Sequence, residues 1–413
     1  MEMNNFYEQI FQLGHDWTVT SSKLNVIDQQ VLIEVAYVSK EYKCPECGKS
    51  AKLHDHTRVR EWRHLDTCQM QTIIRCRIPR VRCEDHKVKT LSVPWSEPHG
   101  HFTFFFEAFC IQLLQATQKQ SKVCKLLSIS HDQLHHIKTR AVERGMARRV
   151  QEEITVVGID EKSMKRGHHY LSVLGDPKGN RVLDVEEKRT QESAKTLLNK
   201  GLSEEQRKGI TCVSIDMWKP FEQAIKQVLP QADIVFDRFH VSQHLGMAVD
   251  KTRRQEMRRL QREDQEKAKD LKNARYLFLW NADNIPEHRI LKFKDARKSA
   301  EATTTVWGFK EVFRSFWDKP DIQSGRDYME SWIEEALKVN IPALTKVAKM
   351  IQRNAQGILN YLTHKITNAS LESLNGRIQQ LKTNARGFRS FDNYRTNILF
   401  HLGGLDMLPL KTL

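Results

Sequence analysis

The sequence predicts an α/β core: a mixed β-sheet with helices on both faces, interrupted by an all-helical insertion. Between residues 154 and 237, the patterns run in the order strand, strand, strand, helix, strand, helix, strand. From residue 242 to about 350 the pattern is helical and strongly charged. Before about residue 90 the chain is rich in Cys, His and Arg, so we expect smaller domains ahead of the core.

The bulk properties favour an intracellular protein with a polyanionic partner. A chain of 413 residues has room for about two to four domains. No apolar run reaches the ~18 residues that span a bilayer, and the N-terminus lacks a basic segment followed by an apolar one. We therefore expect a cytoplasmic location. The net charge of +15 and the pI near 9.4 favour nucleic acid, although general solubility alone could explain them.

Two cysteine-containing pairs predict a structural zinc site in an N-terminal domain over residues 1–95. Cys44 and Cys47 form a Cys-x-x-Cys turn, and Cys83 and His86 form a Cys-x-x-His turn. Four such ligands can close a tetrahedron around zinc, which leaves no open position for catalysis. His86 is the least certain ligand, and a β-hairpin is expected between the pairs. The alternatives are two unrelated reduced pairs, or substitution by one of the nearby residues Cys68, Cys76, His54 and His56.

Residues 100–149 predict a helix-turn-helix DNA-binding domain. A helix over 118–127, a turn at 128–130 with an N-cap serine, and a second helix from 131 have the required lengths. An ordinary helical hairpin is the alternative. The side chains expected to face outward toward DNA are Lys122, His131, Gln133, His135, His136, Lys138 and Arg140.

Three carboxylates stand where a metal-dependent site requires them. Asp160 and Asp216 each follow an apolar strand-like run, and Glu372 lies in a helical stretch. Phosphodiester chemistry needs carboxylates on rigid elements that hold two Mg²⁺ (or Mn²⁺) ions. We predict that the two aspartates end neighbouring central strands and that the glutamate reaches them from a packed helix.

Other acids compete for these roles. Strand alternation is expected to turn Glu161 away, and Asp184 could be structural. Asp237 follows the next strand and is the strongest rival of Asp216. Asp237 and His240 are predicted to form a supporting hydrogen-bonded pair.

The predicted core is discontinuous in sequence. Its first part covers 150–241, the helical insertion covers 242–350, and the C-terminal helices that carry the glutamate cover 351–413. The basic stretch 251–275 is either a solvated helix or a surface that contacts DNA phosphates. A second basic group after the glutamate is better placed to hold the DNA backbone, and consists of Arg377, Lys382, Arg386 and Arg389. Three tryptophans are expected in the core: Trp280, Trp307 and Trp317.

These motifs together resemble the bacterial insertion-sequence transposases of the ISL-three family, within the DDE superfamily. The resemblance covers nearly the whole chain, and the motifs occur in the family's order. The matching blocks are the zinc-ligand pairs, the helix-turn-helix, and residues 157–161, 214–221, 234–241, 367–378 and 385–391. One departure is His86, because the family usually has cysteine there; histidine is also a zinc ligand.

The resemblance implies a ribonuclease-H-like core with Asp160, Asp216 and Glu372 as the acidic triad. It implies binding of double-stranded DNA at terminal inverted repeats, cleavage at the element ends and joining of 3′-hydroxyls to target DNA. A homodimer and a location at the bacterial nucleoid are further expectations. The alternatives are a non-catalytic DNA-binding regulator and a metal-dependent nuclease that does not join strands.

Overall fold

The computed structural model describes residues 3–149, 152–165 and 169–409. The chain divides into two compact units. The first unit combines residues 3–149 with 405–409, and the second contains the described residues from 152 to 404. Within the described chain, no helix is both long and apolar enough to cross a membrane.

The first unit begins with a helix and seven strands and continues with three helices. Its elements are α1 Met3–Phe11, β1 Trp17–Asn25, β2 Gln30–Tyr37, β3 Lys52–His56, β4 Arg60–Arg63, β5 Gln71–Cys76, β6 Pro79–Cys83, β7 Lys87–Thr90, α2 Phe104–Thr117, α3 Gln120–Leu127 and α4 His131–Arg149. The strands form a four-stranded sheet, β1-β2-β5-β4, and a three-stranded sheet, β3-β6-β7. Strands β4 and β5 form an antiparallel pair between the two cysteine pairs, which confirms the predicted hairpin.

The helical part of the first unit has clear local signals. Thr103 accepts a hydrogen bond from Phe106 N and begins α2. Ser130 and Gln133 cap the start of α4 reciprocally, because each side chain bonds the other's backbone N–H. The predicted helices and their serine cap are thus present. Met407 is buried, and its backbone carbonyl accepts a hydrogen bond from Arg144 of α4 at 2.6 Å.

The second unit is built on a five-stranded mixed sheet. Its first elements are β8 Val156–Lys165, β9 His169–Asp176, β10 Arg181–Glu187, α5 Gln191–Gly201, α6 Glu204–Gly209, β11 Cys212–Ile215, α7 Lys219–Val228 and β12 Asp233–Phe236. The strand order is β10-β9-β8-β11-β12, with β9 antiparallel to its neighbours and β11 parallel to both β8 and β12. The predicted mixed sheet, its hairpin and its strand–helix order are confirmed.

Helices make up the rest of the second unit. They are α8 Arg238–Glu263, α9 Gln265–Asn273, α10 Arg275–Leu279, α11 Ile290–Ser299, α12 Glu301–Arg314, α13 Ile322–Lys338, α14 Pro342–Arg353, α15 Ala355–His364, α16 Ala369–Asn384 and α17 Phe391–Leu402, with short 3-10 turns at Ala282–Asn284, Glu287–Arg289 and Ser315–Asp318. One buried apolar cluster joins the sheet to helices α8 to α15. Trp307 and Trp317 belong to it and Trp280 packs against it, as predicted.

Each of the last three helices contacts a different strand of the sheet. On α15, Asn360 donates to the carbonyl of Ile234 in β12 at 2.9 Å. On α16, Leu371 packs against Gly158 of β8, where a Cβ would lie 2.2 Å from it. Helix α17 places Arg395 on the buried Asp184 carboxylate at 2.7 Å. Asp184 is therefore structural, which confirms one of the interpretations left open by the sequence.

Candidate active site and metal centre

The sheet register sets Asp160 beside Asp216. Ile159 of β8 is paired with Ile215 of β11, so the next residue of each parallel strand is an aspartate. Adjacent strands lie ~4.8 Å apart. The prediction of neighbouring central strands is confirmed. Asp160 does not end its strand, however, because β8 continues to Lys165 while β11 stops at Ile215.

Asp160 is half-buried and lies in a charged environment. Its Oδ1 accepts a hydrogen bond from Glu161 N, and its Oδ2 accepts one from Asn375 Nδ2 of α16 at 2.5 Å. Burial and then the negative charge of Asp216 raise the pKa of Asp160 to about 6. Two neighbouring, half-buried carboxylates that repel each other form a suitable anionic donor set for a divalent cation.

Asp216 is held by a histidine and an asparagine. His240 Nε2 lies 2.8 Å from Asp216 Oδ1, and this contact raises the pKa of His240. Asn368 Nδ2 donates to the same carboxylate at 3.4 Å, and its Oδ1 accepts a hydrogen bond from Ser214. The raised pKa favours the cationic form of His240 beside Asp216.

The predicted aspartate–histidine pair has a different aspartate. We expected His240 to pair with Asp237, but its ring contacts Asp216 instead. Asp237 is buried at the start of α8 and accepts a hydrogen bond from Asn368 N at 3.5 Å. The prediction was wrong because His240 lies in the first turn of α8, and that turn directs its ring toward the neighbouring strand.

Glu372 lies on α16 between two residues that contact the aspartates. Asn368 is four positions before it and Asn375 is three positions after it, so the three share one side of the helix. The Glu372 side chain is exposed. Within the described residues, the carboxylates of Asp160, Asp216 and Glu372 do not form a cluster whose donor atoms all lie within 4.8 Å of one another.

A small pocket of about 140 Å³ opens beside Asp216. One wall is Arg189, which binds the Glu161 carboxylate at 2.8 Å and stacks on Trp218, with 4.9 Å between Cζ and the ring centroid. Glu161 therefore lines this pocket, contrary to the expectation that it turns away. His240 completes the side nearest the aspartates. The pocket combines negative charge, one fixed guanidinium and a partly exposed indole ring.

The four predicted zinc ligands converge in the first unit. The donor atoms of Cys44, Cys47, Cys83 and His86 all lie within 4.8 Å of one another. The separations are 3.8 Å from Cys47 Sγ to Cys83 Sγ, and 3.7 Å from His86 Nδ1 to the Sγ atoms of both Cys44 and Cys83. A zinc tetrahedron with Zn–S near 2.3 Å and Zn–N near 2.0 Å requires edges of roughly 3.6–3.8 Å. The donor set therefore fits a structural zinc ion.

The electrostatics of this cluster suit a metal. Burial raises the pKa of the Cys44 thiol, but hydrogen bonds from the backbone N–H groups of Cys47 and Glu46 outweigh it and lower the pKa to about 7. A thiol that ionises near neutral pH is ready to ligate. Cys76 is buried in a separate apolar core, and Cys68, His54 and His56 also lie outside the four-ligand cluster.

The predicted DNA contacts are only partly exposed. Lys138 is buried, and burial lowers its pKa to about 8. Arg140 is bound to the buried Glu107 carboxylate. The outward orientation expected for these two was wrong, because Leu134, Ile137, Lys138 and Ala141 share the buried side of α4. His135 is half-buried, and the exposed members are Lys122, His131, Gln133 and His136.

The second predicted basic group surrounds the end of α16. Lys382 is half-buried and donates to the carbonyl of Ser163 at 3.5 Å. The other three members, Arg377, Arg386 and Arg389, are exposed. Sequence reasoning missed Asn368, Asn375 and Arg189. Helical spacing around Glu372 was an available signal for both asparagines, whereas nothing local pointed to Arg189.

Comparisons with known proteins assign this chain to a protein family. A family model with the description "Transposase", for the ISL3 type of DDE transposase, matches residues 157–398. A second model, for the zinc-finger of transposase IS204/IS1001/IS1096/IS1165, matches residues 40–86. The protein is thus a transposase with a zinc ribbon. The first match covers more than half of the sequence, and the chain belongs to the ISL3 family.

Curated relatives agree along most of the chain. The transposase for insertion sequence element IS1001 from Bordetella parapertussis is 27% identical over 356 residues, which cover 85% of this chain and 86% of that protein. The transposase for insertion sequence element IS1557 from Mycobacterium tuberculosis is 27% identical over 371 residues, covering 84% and 83%. The family resemblance inferred from the sequence motifs is confirmed.

Proposed function

We propose that this transposase binds the terminal inverted repeats of its element, cleaves DNA at the ends and joins the 3′-hydroxyls to target DNA. The observation that carries the proposal is the pair of aspartates, Asp160 and Asp216, at the same level of two adjacent parallel strands. Charge repulsion across this pair favours cation binding. The strand order, with the aspartates on the first and fourth strands along the chain, supports a ribonuclease-H-like core.

Glu372 is the third member of the proposed site. Its neighbours Asn368 and Asn375 already bond Asp216 and Asp160, so the exposed glutamate lies on the helix side that approaches both. Asp160, Asp216 and Glu372 would hold two Mg²⁺ ions. When bound, such ions stabilise the attacking and leaving oxygens of an in-line phosphoryl transfer.

The protein's own residues have distinct tasks around these carboxylates. Asn375 and Asn368 orient the aspartates by donating to one oxygen of each. His240 holds Asp216 in place, and its raised pKa favours the cationic form next to the site. Arg377, Arg386 and Arg389 are exposed beyond Glu372 and would hold the DNA backbone. The exposed part of α3 and α4 would bind the element ends as a helix-turn-helix.

The proposal is tested by strand cleavage and joining on a duplex that carries an element end, with Mg²⁺ added. We expect Asp160→Asn, Asp216→Asn and Glu372→Gln each to reduce both steps by roughly a hundred-fold or more. The matched control is Asp392→Asn, which changes an exposed carboxylate of α17 and should retain activity.

The products separate the proposed function from its alternatives. Cleavage without joined products would identify a nuclease, and binding without cleavage would identify a DNA-binding regulator. Full activity in any one of the three variants would remove that residue from the site. Sedimentation of the complex with two end-containing duplexes tests whether a homodimer holds both ends.

A further inference from the structure

A second, larger depression lies in the same unit as the carboxylates. It is a groove of about 990 Å³ between α8 and α14. His244 lines both this groove and the small pocket beside Asp216, so the two cavities are neighbours across this side chain. The groove extends along α8 from Phe239 to Arg258, which is roughly 28 Å at 1.5 Å per residue. The groove therefore lies next to the pocket that contains Asp216.

The floor of the groove is apolar and uncovered. Phe239 is 54% exposed and Met247 is 60% exposed, although both are large hydrophobic side chains. They are eight positions apart on α8 and therefore lie on one side of the helix. Val347 and Met350 of α14 face them across the groove. Side chains of this size are normally buried, and their joint exposure indicates a binding surface.

The rim of the groove is positively charged. Lys251, Arg258, Lys346 and Arg353 are exposed and line it. Over the described residues, none of these four forms an ion pair with a carboxylate, whereas Arg259 on the same helix contacts Glu263 at 3.6 Å. The sequence left open whether the basic stretch of α8 is merely solvated, and these unpaired cations favour a phosphate-binding surface.

The acid in the groove lining does not offset this charge. Asp250 accepts hydrogen bonds from Arg253 at 2.8 Å and is also paired with Arg254 at 2.5 Å. Its carboxylate is already neutralised by its own helix, which leaves the rim with a net positive charge. The groove thus combines cations that form no ion pair within the described residues with a floor that carries an aromatic ring and a thioether.

We infer that this groove binds single-stranded DNA next to the active site. Unpaired bases would stack on Phe239 and pack against Met247, while the rim cations hold the phosphates. A duplex would present phosphates alone and leave the apolar floor uncovered, because its bases are already stacked. In the proposed function, the single strand would come from an element end that is opened during cleavage. Binding of single-stranded DNA in the groove does not itself depend on that function.

The test is fluorescence anisotropy with a labelled 20-nucleotide oligo-dT and the full-length zinc-loaded protein, without added Mg²⁺. We expect Phe239→Ala and Lys346→Gln each to weaken oligo-dT binding about ten-fold. Phe239→Ala should change binding of a blunt duplex of the same length less than two-fold, because the duplex leaves the floor uncovered. Met247→Gln is a second floor variant, expected to weaken oligo-dT binding in the same way.

Matched controls use side chains outside the groove. Tyr276→Ala removes a 61% exposed aromatic ring from α10, and Lys292→Gln neutralises an exposed lysine of α11. Neither should alter oligo-dT affinity. Circular dichroism confirms that each variant is folded before its affinity is compared.

Three results would overturn the inference. Unchanged oligo-dT affinity in both floor variants is the first, and an equal loss of single-stranded and duplex binding is the second. The third is a change of oligomeric state in Phe239→Ala at constant oligo-dT affinity, which would assign the groove to a second copy of the chain. The binding test measures no cleavage. Loss of the proposed metal-dependent cleavage would therefore not contradict oligo-dT binding in the groove. Equally, absence of oligo-dT binding would not contradict the proposed cleavage.

Discussion

At the scale of single residues, Asp160 makes the stability of the metal-free protein depend on pH. Burial and then the charge of Asp216 raise its pKa to about 6 from an ordinary 3.8. Because the folded state then binds the proton more tightly than the unfolded state, stability falls as pH rises from about 4 to about 6. Asp160→Asn should abolish this fall and stabilise the metal-free protein at pH 7.5, by at most ~3 kcal/mol.

Thermal unfolding between pH 4 and pH 8 measures this effect. Asp392→Asn is the control, since its carboxylate is exposed and its removal should leave the pH profile unchanged. Added Mg²⁺ should stabilise the parent and not Asp160→Asn, because the ion relieves the repulsion that the variant lacks. Parallel pH profiles of parent and Asp160→Asn would contradict the prediction.

The fourth zinc ligand gives a second residue-scale prediction. His86 Nδ1 lies 3.7 Å from two cysteine sulfurs, within the range of a zinc tetrahedron. His86→Cys should keep one zinc per chain, since thiolate ligates at the same position, whereas His86→Ala and Cys83→Ser should lose it. Zinc content by mass spectrometry is the measurement. Cys68→Ser is the control, because this exposed cysteine lies outside the cluster.

At the scale of elements, the contact between α16 and β8 determines where Glu372 lies. A Cβ on Gly158 would lie 2.2 Å from Leu371 Cδ1, whereas one on Gly376 meets nothing within 4 Å. Gly158→Ala should therefore cost ~1–3 kcal/mol of stability and reduce DNA cleavage by displacing the helix. Gly376→Ala is the matched control and should stabilise α16 by up to ~1 kcal/mol.

Denaturant unfolding and the cleavage assay together read out this pair of variants. If Gly158→Ala unfolds like the parent and cleaves DNA normally, then α16 does not depend on the close approach to β8. Loss of stability with full cleavage would show that the helix moves without affecting the carboxylates. The prediction requires that Gly158→Ala lose both stability and DNA cleavage, and that Gly376→Ala lose neither.

Local periodicity in the sequence was sufficient to predict most helices and strands. It was insufficient to predict side-chain contacts between elements that are distant in sequence. The apolar runs before Asp160 and Asp216 predict two buried strands, and their pairing follows from the parallel order. The contact of His240 with Asp216 instead depends on how α8 leaves β12, which no local pattern reports. Lys138 was misassigned because a lysine on the buried side of an amphipathic helix is rare.

At the scale of the whole molecule, the described residues 3–149 and 405–409 belong to one compact unit. Residues 405–409 pack on α4 of the first unit: Arg144 donates to Met407 O at 2.6 Å, and Arg148 donates to Leu408 O at 2.8 Å. Met407 is only 2% exposed. Burying such a side chain contributes ~1.5–3 kcal/mol, so the C-terminal segment stabilises a domain formed some 260 residues earlier.

Ending the chain at Gly404 should therefore destabilise the first unit and spare the second. In differential scanning calorimetry, the transition of the first unit is recognised because zinc removal shifts it. Truncation should lower this transition by several degrees, since ~1 kcal/mol corresponds to about 2–4 °C for a unit of this size. Asp406→Ala, which removes only an exposed ion pair with Arg148, should shift it far less. A shift confined to the zinc-independent transition would show that the segment supports the second unit instead.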